Sequence, residues 1–328
     1  MTLSIIIVSY NTAHLTLQTL ESVVADLNRS VQLKGKSEII VVDNNSSDDS
    51  VETIKIFKKN LKNVTLNLIE NKENVGFARA NNQAIKESHG QYLLLLNSDT
   101  IVQPGSLETL INTFDSRPID ELTAYSSIAN RATDKLGIVA AQLRNPDGSI
   151  QPQGGSFPTL VSLASHLLML DDLPLIGKLF PSTQHTGKRS ISSQQELTPM
   201  DWVGGTAMMI RRQVFDDVGL FDEQIFMYGE DVEFCLRAHH HHWDSVIQNQ
   251  APIVHLGSAS SSSASALVGE LKGYLHIWAK HKPLWQMPIV RWLIDLGCRL
   301  RIFLFGTILG EASKAEVYKA ALQTVKNV

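Results

Sequence analysis

Four short apolar runs, each followed by residues of another periodicity, constrain this chain more than any other feature. Residues 3–9 read LSIIIVS, 38–42 EIIVV, 64–69 VTLNLI and 91–96 QYLLLL. A strand with one wet face alternates apolar and polar side chains. An uninterrupted apolar run of this length suits a strand covered on both faces, as in a parallel sheet. After the first run, Leu15, Leu17, Leu20, Val23, Val24 and Leu27 recur at helical spacing, and 51–60 and 77–88 read as further helices. The βαβαβαβ rhythm predicts a doubly wound, Rossmann-like α/β half with a mostly parallel central sheet.

Ligands of such sheets sit beyond the carboxyl ends of the strands. Three of the runs end in polar residues there: Ser9-Tyr10-Asn11, Asp43-Asn44 and Asn97-Ser98-Asp99. Loops are polar in general, but two acids, Asp43 and Asp99, at one rim ask for a further reason. The turn after the second run can also cap the following helix, for which Asp48 or Ser50 is better placed than Asp43. The second half is less regular. Residues 138–143 read as a strand, 145–148 as a turn, 151–158 and 182–199 as long loops, and 160–170 as a helix. Gly204-Gly205 precedes an apolar strand ending near 210; 214–218 and 230–239 read as helices and 253–256 as a short strand. The Ser-rich stretch 258–265 reads as a linker, and the chain is mostly helical from 267 onward.

The 328 residues are 43% hydrophobic, enough for a full core, and the formal net charge of -4 gives no basic footprint for nucleic acid. Two cysteines, Cys235 and Cys298, cannot make a disulfide scaffold and suit a reducing compartment. The N-terminal MTLSIIIVSYN lacks the basic start of a secretory leader and reads as a buried strand. The stretch closest to a membrane span, 288–309, is broken by Arg291, Asp295, Arg299 and Arg301. With Trp285 it suits a helix lying on anionic lipid, a dimer face, or a cover for the main domain.

Seven motifs follow in order: SIIIVSYN, VVDNNSSDDS, ENVGFARANNQAI, LLLLNSDT, DWVGGTAMMIRR, GLFDEQIFMYGEDVEFCLR and APIVHLGSAS. Together, from residue 3 to about 260, they resemble the family 2 glycosyltransferases of the GT-A type, most closely the rhamnosyltransferase-like branch that builds surface polysaccharide. The resemblance implies a GT-A domain over 1–265, with a nucleotide half to about 135 and an acceptor half after it, and a helical C-terminal extension over 266–328. It implies a UDP-sugar or dTDP-rhamnose donor, a saccharide or lipid-linked acceptor, inversion at the anomeric carbon, and a Mg²⁺ or Mn²⁺ cofactor. A cytoplasmic enzyme, peripheral at the inner face of the membrane through its C-terminal helices, or a homodimer, fits that picture.

Residue by residue, the resemblance gives Asp43 the imide N–H of the base, which a carboxylate suits. Asp99 and His255 become the metal ligands, although Asn97 stands where a full Asp-x-Asp motif has its first acid. Asp231, beside Glu230, becomes the general base; the competing reading is acids favouring a helix N-terminus. Ser9, Tyr10, Asn11, Asn74, Gly76, Arg79, Asn97 and Ser98 fall in the nucleotide motifs, with a surface helix position as the other reading for Arg79. Trp202, Gly204, Gly205 and Glu233 are candidates for the sugar or acceptor pocket; a core tryptophan and a tight bend compete for the first three. The run His239-His240-His241-His242 reads as a solvated helix end rather than a metal site. Two other classes stay open. A sugar nucleotidyltransferase would need a Gly-rich basic loop after the first strand, which SYNTAHLT lacks. A non-catalytic carbohydrate-binding relative would have lost Glu230-Asp231 or Asp99, and both are intact.

Overall fold

The computed structural model describes residues 1–115, 135–173, 177–179, 183, 196–257 and 263–326. The predicted rhythm appears as β1 (Leu3–Ser9), α1 (Ala13–Arg29), β2 (Ser37–Asp43), α2 (Ser50–Asn60), β3 (Thr65–Glu70), α3 (Phe77–Glu87) and β4 (Tyr92–Asn97). Then come β5 (Thr100–Val102), α4 (Ser106–Asp115), β6 (Lys135–Arg144), α5 (Leu160–Leu167), β7 (Leu197–Met200), β8 (Ala207–Arg211) and α6 (Arg212–Val218). The chain continues with α7 (Glu230–His240), β9 (Trp243–His255), α8 (Ser263–His281), α9 (Met287–Phe303) and α10 (Ala312–Lys326).

Among the described residues nine strands make one sheet in the order β3-β2-β1-β4-β8-β6-β9-β5, with β7 added on β9. Six strands run one way, and β5, β7 and β8 oppose them. The runs of β1, β2 and β4 are buried on both faces, whereas the edge strand β3 is only partly buried. Ile5 and Ile7 enter the core under α1, α2 and α4, while Ile6 enters the opposite core, under α3 and α7. In register, Ser9 pairs with Asp43 and Val8 with Asn97, so β1, β2 and β4 end at one rim.

The buried face of α1 differs from the expected apolar set. Leu15 and Leu17 are only half-buried, whereas Thr16, Thr19 and Asp26 are inside with Leu20, Val23 and Leu27. These polar residues each have a partner. The Thr19 hydroxyl lies 2.9 and 2.8 Å from the carbonyl oxygens of Ser98 and Thr100 and accepts the Thr100 N–H, which fixes the turn after β4. The Asp26 carboxylate accepts the Gly105 and Leu107 N–H groups and so caps α4 from another helix.

Two expectations change in the second half. The strand expected at 253–256 is 13 residues long and begins at Trp243. Its pattern hides because Gln248 and Asn249 are buried polar residues, donating to the hydroxyls of Thr113 and Thr198. The loop expected over 182–199 includes the start of β7, and its stretch 184–195 lies outside the described residues, as does 258–262 of the expected linker.

The C-terminal helices α8, α9 and α10 form a third core with α5, around Leu163, Trp278 and Ile294. Buried Arg301 donates to the His166 and Leu167 carbonyls at the end of α5, satisfying groups a helix terminus leaves open. Helix α8 also reaches the main domain. Its Gly269 and Gly273 face the 227–229 turn so closely that a Cβ on Gly273 would stand 2.6 Å from the Tyr228 carbonyl oxygen. Gly273→Ala therefore tests the contact. Helix propensity alone favours alanine by about 1 kcal/mol. Overpacking against backbone costs more, so the melting midpoint is expected to fall by roughly 2–6 °C. A raised midpoint would show that this approach is not tight.

Candidate active site

Two cavities open beyond the strand ends. The larger, about 830 Å³, lies over the rim of β1, β2 and β4 and meets Tyr10, Asn44, Asn97, Asp99 and His255; α8 roofs it with Lys272 and His276. The smaller, about 580 Å³, lies along the start of α7 and meets Trp202, Asp231, Glu270, Tyr274 and Tyr318. Phe77, Asn97, Thr206, Met227, Tyr228 and Gly273 line both, so the cavities share a wall.

Asp99 precedes β5 and His255 ends β9, and the antiparallel pairing of those strands sets Thr100 opposite His255. The Leu256 N–H donates to the Asp99 carbonyl at 2.9 Å, closing the ladder beside the two side chains. His255 Nε2 stands 3.3 Å from Asp99 Oδ1, and His255 Nδ1 stands 2.7 Å from Gln151 Oε1. An amide oxygen only accepts, so Nδ1 donates to it, and the imidazole in its metal-binding form turns the Nε2 lone pair to the Asp99 carboxylate. Two such lone pairs repel unless a proton or a cation lies between them. A hard divalent cation about 2.1 Å from each ligand sets neighbouring ligands about 3 Å apart, which this pair fits. Among the described residues no third acid, histidine or cysteine joins them. The donor set suits a cation that completes its shell with water and ligand oxygens.

The loop before α7 is held from two sides. Buried Asn82 exchanges hydrogen bonds with the Phe221 backbone, and the Phe77 N–H donates to the Phe226 carbonyl at 2.7 Å. Gly76, at φ +86°, has no room for a side chain, because a Cβ would lie 2.6 Å from that same carbonyl oxygen. Tyr228 and Gly229 both adopt positive φ and turn the chain into α7. Asp231 then accepts the Gly205 N–H on Oδ2 at 3.2 Å and the Val232 N–H on Oδ1 at 2.8 Å. Burial raises its pKa, and these backbone donors pull the other way. Glu230 is buried, and its Oε2 has no hydrogen-bond partner. Burial first, and the Asp231 charge second, push its carboxyl up to about 8. The pair thus keeps a proton above the usual carboxylate range, and the Gly205 and Val232 N–H groups favour the charge on Asp231.

The remaining candidates scatter. Tyr10, Asn74, Gly76, Asn97 and Ser98 line the larger cavity, while Trp202 and Gly205 line the smaller. Gly204 leaves space beside Asp231, whose Oδ2 would lie 3.9 Å from an added Cβ. Asp43 is buried at the end of β2; one oxygen accepts the Ser46 N–H and the other, Oδ1, has no partner. The helix N-terminus role goes to Asp48, which bonds the Ser50 and Ala13 N–H groups.

Four candidates have protein partners of their own. The Ser9 hydroxyl points inward to Thr12 and Thr16. Asn11, at φ +54°, accepts the Ser47 N–H and ties two loops together. Arg79 is on the surface, 3.7 Å from Glu223. Glu233 is fully buried under α8, receiving Arg237 on both oxygens and Lys280 and His281 at 2.9 Å each. Burial alone would push its carboxyl up, but Arg237, Lys280 and His281 outweigh burial and hold it ionised. The histidine run ends α7 with His240, His241 and His242 exposed, as expected of a solvated terminus.

Residues the sequence reading passed over matter as well. Asn44 binds Asn71, Asn74 and the Val75 N–H in a buried hub at the rim; it stood in a quoted motif without a role. Gln151 carried no signal, since a lone glutamine in a loop has no pattern. Helix α8 had none either, because its cavity-facing residues become neighbours of the site only in the fold.

Residues 4–137 match the Glycosyl transferase family 2 profile, a span that ends before Asp231 and His255. The chain is 25% identical over 278 residues to N-acetylglucosaminyl-diphospho-decaprenol L-rhamnosyltransferase of Mycobacterium tuberculosis, covering 80% of this chain and 81% of that one. It is 26% identical to a low-salt glycan biosynthesis hexosyltransferase of Haloferax volcanii, over 63% of this chain and 55% of that protein. The fold matches a Pyrobaculum calidifontis mannosyltransferase solved with GDP-mannose and Mn²⁺ (TM-score 0.56, 14% identity, 99% of this chain and 86% of that one). It also matches GalNAc-T7 solved with UDP, GalNAc and Mn²⁺ (TM-score 0.59, 15% identity, 97% of this chain and 55% of that one). Profile, relatives and architecture converge: residues 4–137 form a Glycosyl transferase family 2 domain, the chain as a whole has the GT-A fold, and its relatives are glycosyltransferases.

Proposed function

We propose that this glycosyltransferase inverts configuration, moving a sugar from dTDP-rhamnose or a UDP-sugar to a saccharide or lipid-linked acceptor in surface polysaccharide synthesis. The observation that carries the reading is the wall shared by two cavities, one holding Asp99 and His255, the other Asp231. A donor in the larger cavity meets an acceptor in the smaller at that wall. The unpartnered Asp43 oxygen, buried at the end of β2, would accept the base N–H. Asp99 and His255 would hold Mg²⁺ or Mn²⁺, which neutralises charge on a departing diphosphate. Asp231 takes the proton of the acceptor hydroxyl, and the freed oxygen attacks the anomeric carbon from the side opposite the leaving group. One base and no covalent nucleophile give inversion. Relatives and fold neighbours named for UDP, GDP or lipid-linked sugars support the substrate class. The first experiment is turnover: release of nucleoside diphosphate from UDP- or dTDP-sugars with acceptor, analysed for anomeric configuration. A retained configuration, or binding with no release, overturns the reading.

The two acids are expected to separate. Asp231→Asn should cut transfer by roughly 10²–10⁴-fold while nucleotide affinity holds. Activity should fall in acid as Asp231 takes a proton, with a midpoint above that of an exposed aspartate. Glu230→Gln copies the protonated form and should keep turnover near neutral pH. Its stability also tests the pair. The native state holds a proton on Glu230 up to about pH 8, whereas an unfolded glutamate loses it near 4. Raising the pH through that window therefore favours unfolding of the wild type. Urea unfolding at pH 5 and pH 9 should show a smaller loss in the variant, and equal losses would remove Glu230 from the account.

Gln151→Ala should weaken Mn²⁺ activation by about 10–100-fold, the usual cost of losing a histidine's orienting partner, with nucleotide binding in excess metal retained. Unchanged metal dependence would separate Gln151 from the cation site.

The C-terminal helices also suit contact with an anionic bilayer. Leu284, Trp285, Ile289, Trp292, Leu300 and Phe303 are exposed along one side, Trp285 by 65% and Trp292 by 60%. Residues 282–328 carry seven lysines and arginines against three acids, in a chain of net charge -4. Arg301 is buried, and Arg299, Lys314 and Lys319 pair with acids three or four residues before them, so the feature that matches an interfacial helix is the tryptophan-bearing apolar stripe within a net basic segment. No helix among the described residues is long and apolar enough to cross a membrane. Sedimentation with phosphatidylcholine vesicles should require added phosphatidylglycerol and drop in the Trp285→Ser, Trp292→Ser double variant. A concentration-dependent dimer abolished by the same changes would instead place a second copy on this face.

A further inference from the structure

We infer that α8 supplies the polar anchor for the acceptor: the Glu270 carboxylate and the Tyr274 hydroxyl, one turn apart, hold hydroxyl groups of an acceptor saccharide beside Asp231. The inference rests on the transfer reading above and names residues outside every motif that led to it.

Both residues line the smaller cavity together with Asp231. The Tyr274 hydroxyl lies 3.2 Å from Glu270 Oε1 and 3.2 Å from the Thr183 hydroxyl. Behind them, His166 Nε2 is 3.4 Å from Glu270 Oε1, and His166 Nδ1 is 3.8 Å from Asp171 Oδ2. The Asp171 side chain is fully buried, His166 is 17% exposed and Glu270 is 28% exposed. Charge is thus backed from the protein interior and presented toward the cavity. Burial draws His166 down, but the nearby Asp171 and Glu270 carboxylates outweigh it and raise its pKa to about 9. A carboxylate oxygen accepts hydrogen bonds, which matches it to sugar hydroxyl donors. Arg301 fixes the backbone of this support through the His166 carbonyl.

The rest of the cavity suits a sugar ring. Trp202 and Tyr318 add aromatic faces, on which the C–H faces of a saccharide pack, and Thr183 adds another hydroxyl. A volume of about 580 Å³ lies within the range of small-molecule sites. A purely structural ion pair would have no reason to carry its carboxylate into the cavity of the base. The occupant is therefore a hydroxyl-bearing saccharide.

The test uses the full chain and the octyl glycosides of glucose, galactose, N-acetylglucosamine and rhamnose. Saturation-transfer NMR in the presence of UDP or dTDP reports which sugar rings bind, and thermal shift reports nucleotide affinity separately. With the ring that binds, Glu270→Gln and Tyr274→Phe are expected to weaken sugar binding by about tenfold or more, leaving nucleotide affinity within about twofold. In turnover the same variants should raise the acceptor KM with kcat little changed, a split that general loosening of α8 would not give. Sugar binding unchanged in both variants, equal loss of nucleotide affinity, or no octyl glycoside bound by the wild type overturns the assignment. Where Glu270→Gln fails to fold, Tyr274→Phe, which removes one oxygen, decides alone. Failure of the wild type to bind UDP or dTDP is the separate result that removes the parent reading.

Discussion

The pairing of β5 with β9 is the contact on which the site depends. β5 has only three residues, Thr100–Val102, yet it sets Asp99 against His255 across a large stretch of chain. So short a strand does not hold itself. Thr19 grips the turn before it through Thr100, Ser22 bonds the Val102 N–H, and Asp26 caps the helix after it. One face of α1 thus gives up apolar positions to position a neighbouring strand. A buried hydroxyl or carboxylate is costly without partners and specific with them. Here the same groups that would be faults in a core fix the position of Asp99.

The second constraint is the seating of α8. Gly269 and Gly273 let it lie on the turn that launches Glu230 and Asp231, and Glu233 receives Arg237, Lys280 and His281 beneath it. A buried ion cluster of this kind adds little net stability, since desolvation offsets attraction, but removing one partner commonly costs about 3–5 kcal/mol. Its effect is positional. The helix that roofs the larger cavity and walls the smaller is locked to the helix that carries Glu230 and Asp231.

Much of the fold and part of the site could be read from residues alone. The first half was legible because its strands are apolar on both faces and its turns are polar, so period and punctuation agree. Asp99, His255 and Asp231 were legible because their motifs are ordered, and the fold brings the first two within 3.3 Å. What failed was any judgement that needed the partner. Glu233 sits two residues from the base and looks like a site acid, but its partners lie at 280 and 281. Ser9 stands at a strand end and turns inward to threonines of α1. β9 was misjudged in length because buried Gln248 and Asn249 break the apolar pattern while satisfying each polar group elsewhere. Local pattern reports burial; it does not report which distant residue satisfies a buried polar group.

The start of α7 shows why such a site needs its surroundings. Tyr228 at positive φ, a buried carboxyl with an orphan oxygen, and a second carboxylate beside it are each unfavourable. They occur within four residues, and the turn would relax if left alone. Asn82 and Gly76 hold the approach, Gly205 and Val232 hold Asp231, and the glycine face of α8 closes the other side. The strain stays because the neighbours over-determine the geometry. Proton sharing follows from the same enclosure. Two carboxyls this close cannot both ionise cheaply, so the one with an orphan oxygen is the better proton holder and the one that accepts from Gly205 and Val232 is the better seat for the charge. Which of the two carboxyls is suited to act as a base is thereby set by hydrogen-bond partners, not by position in a motif.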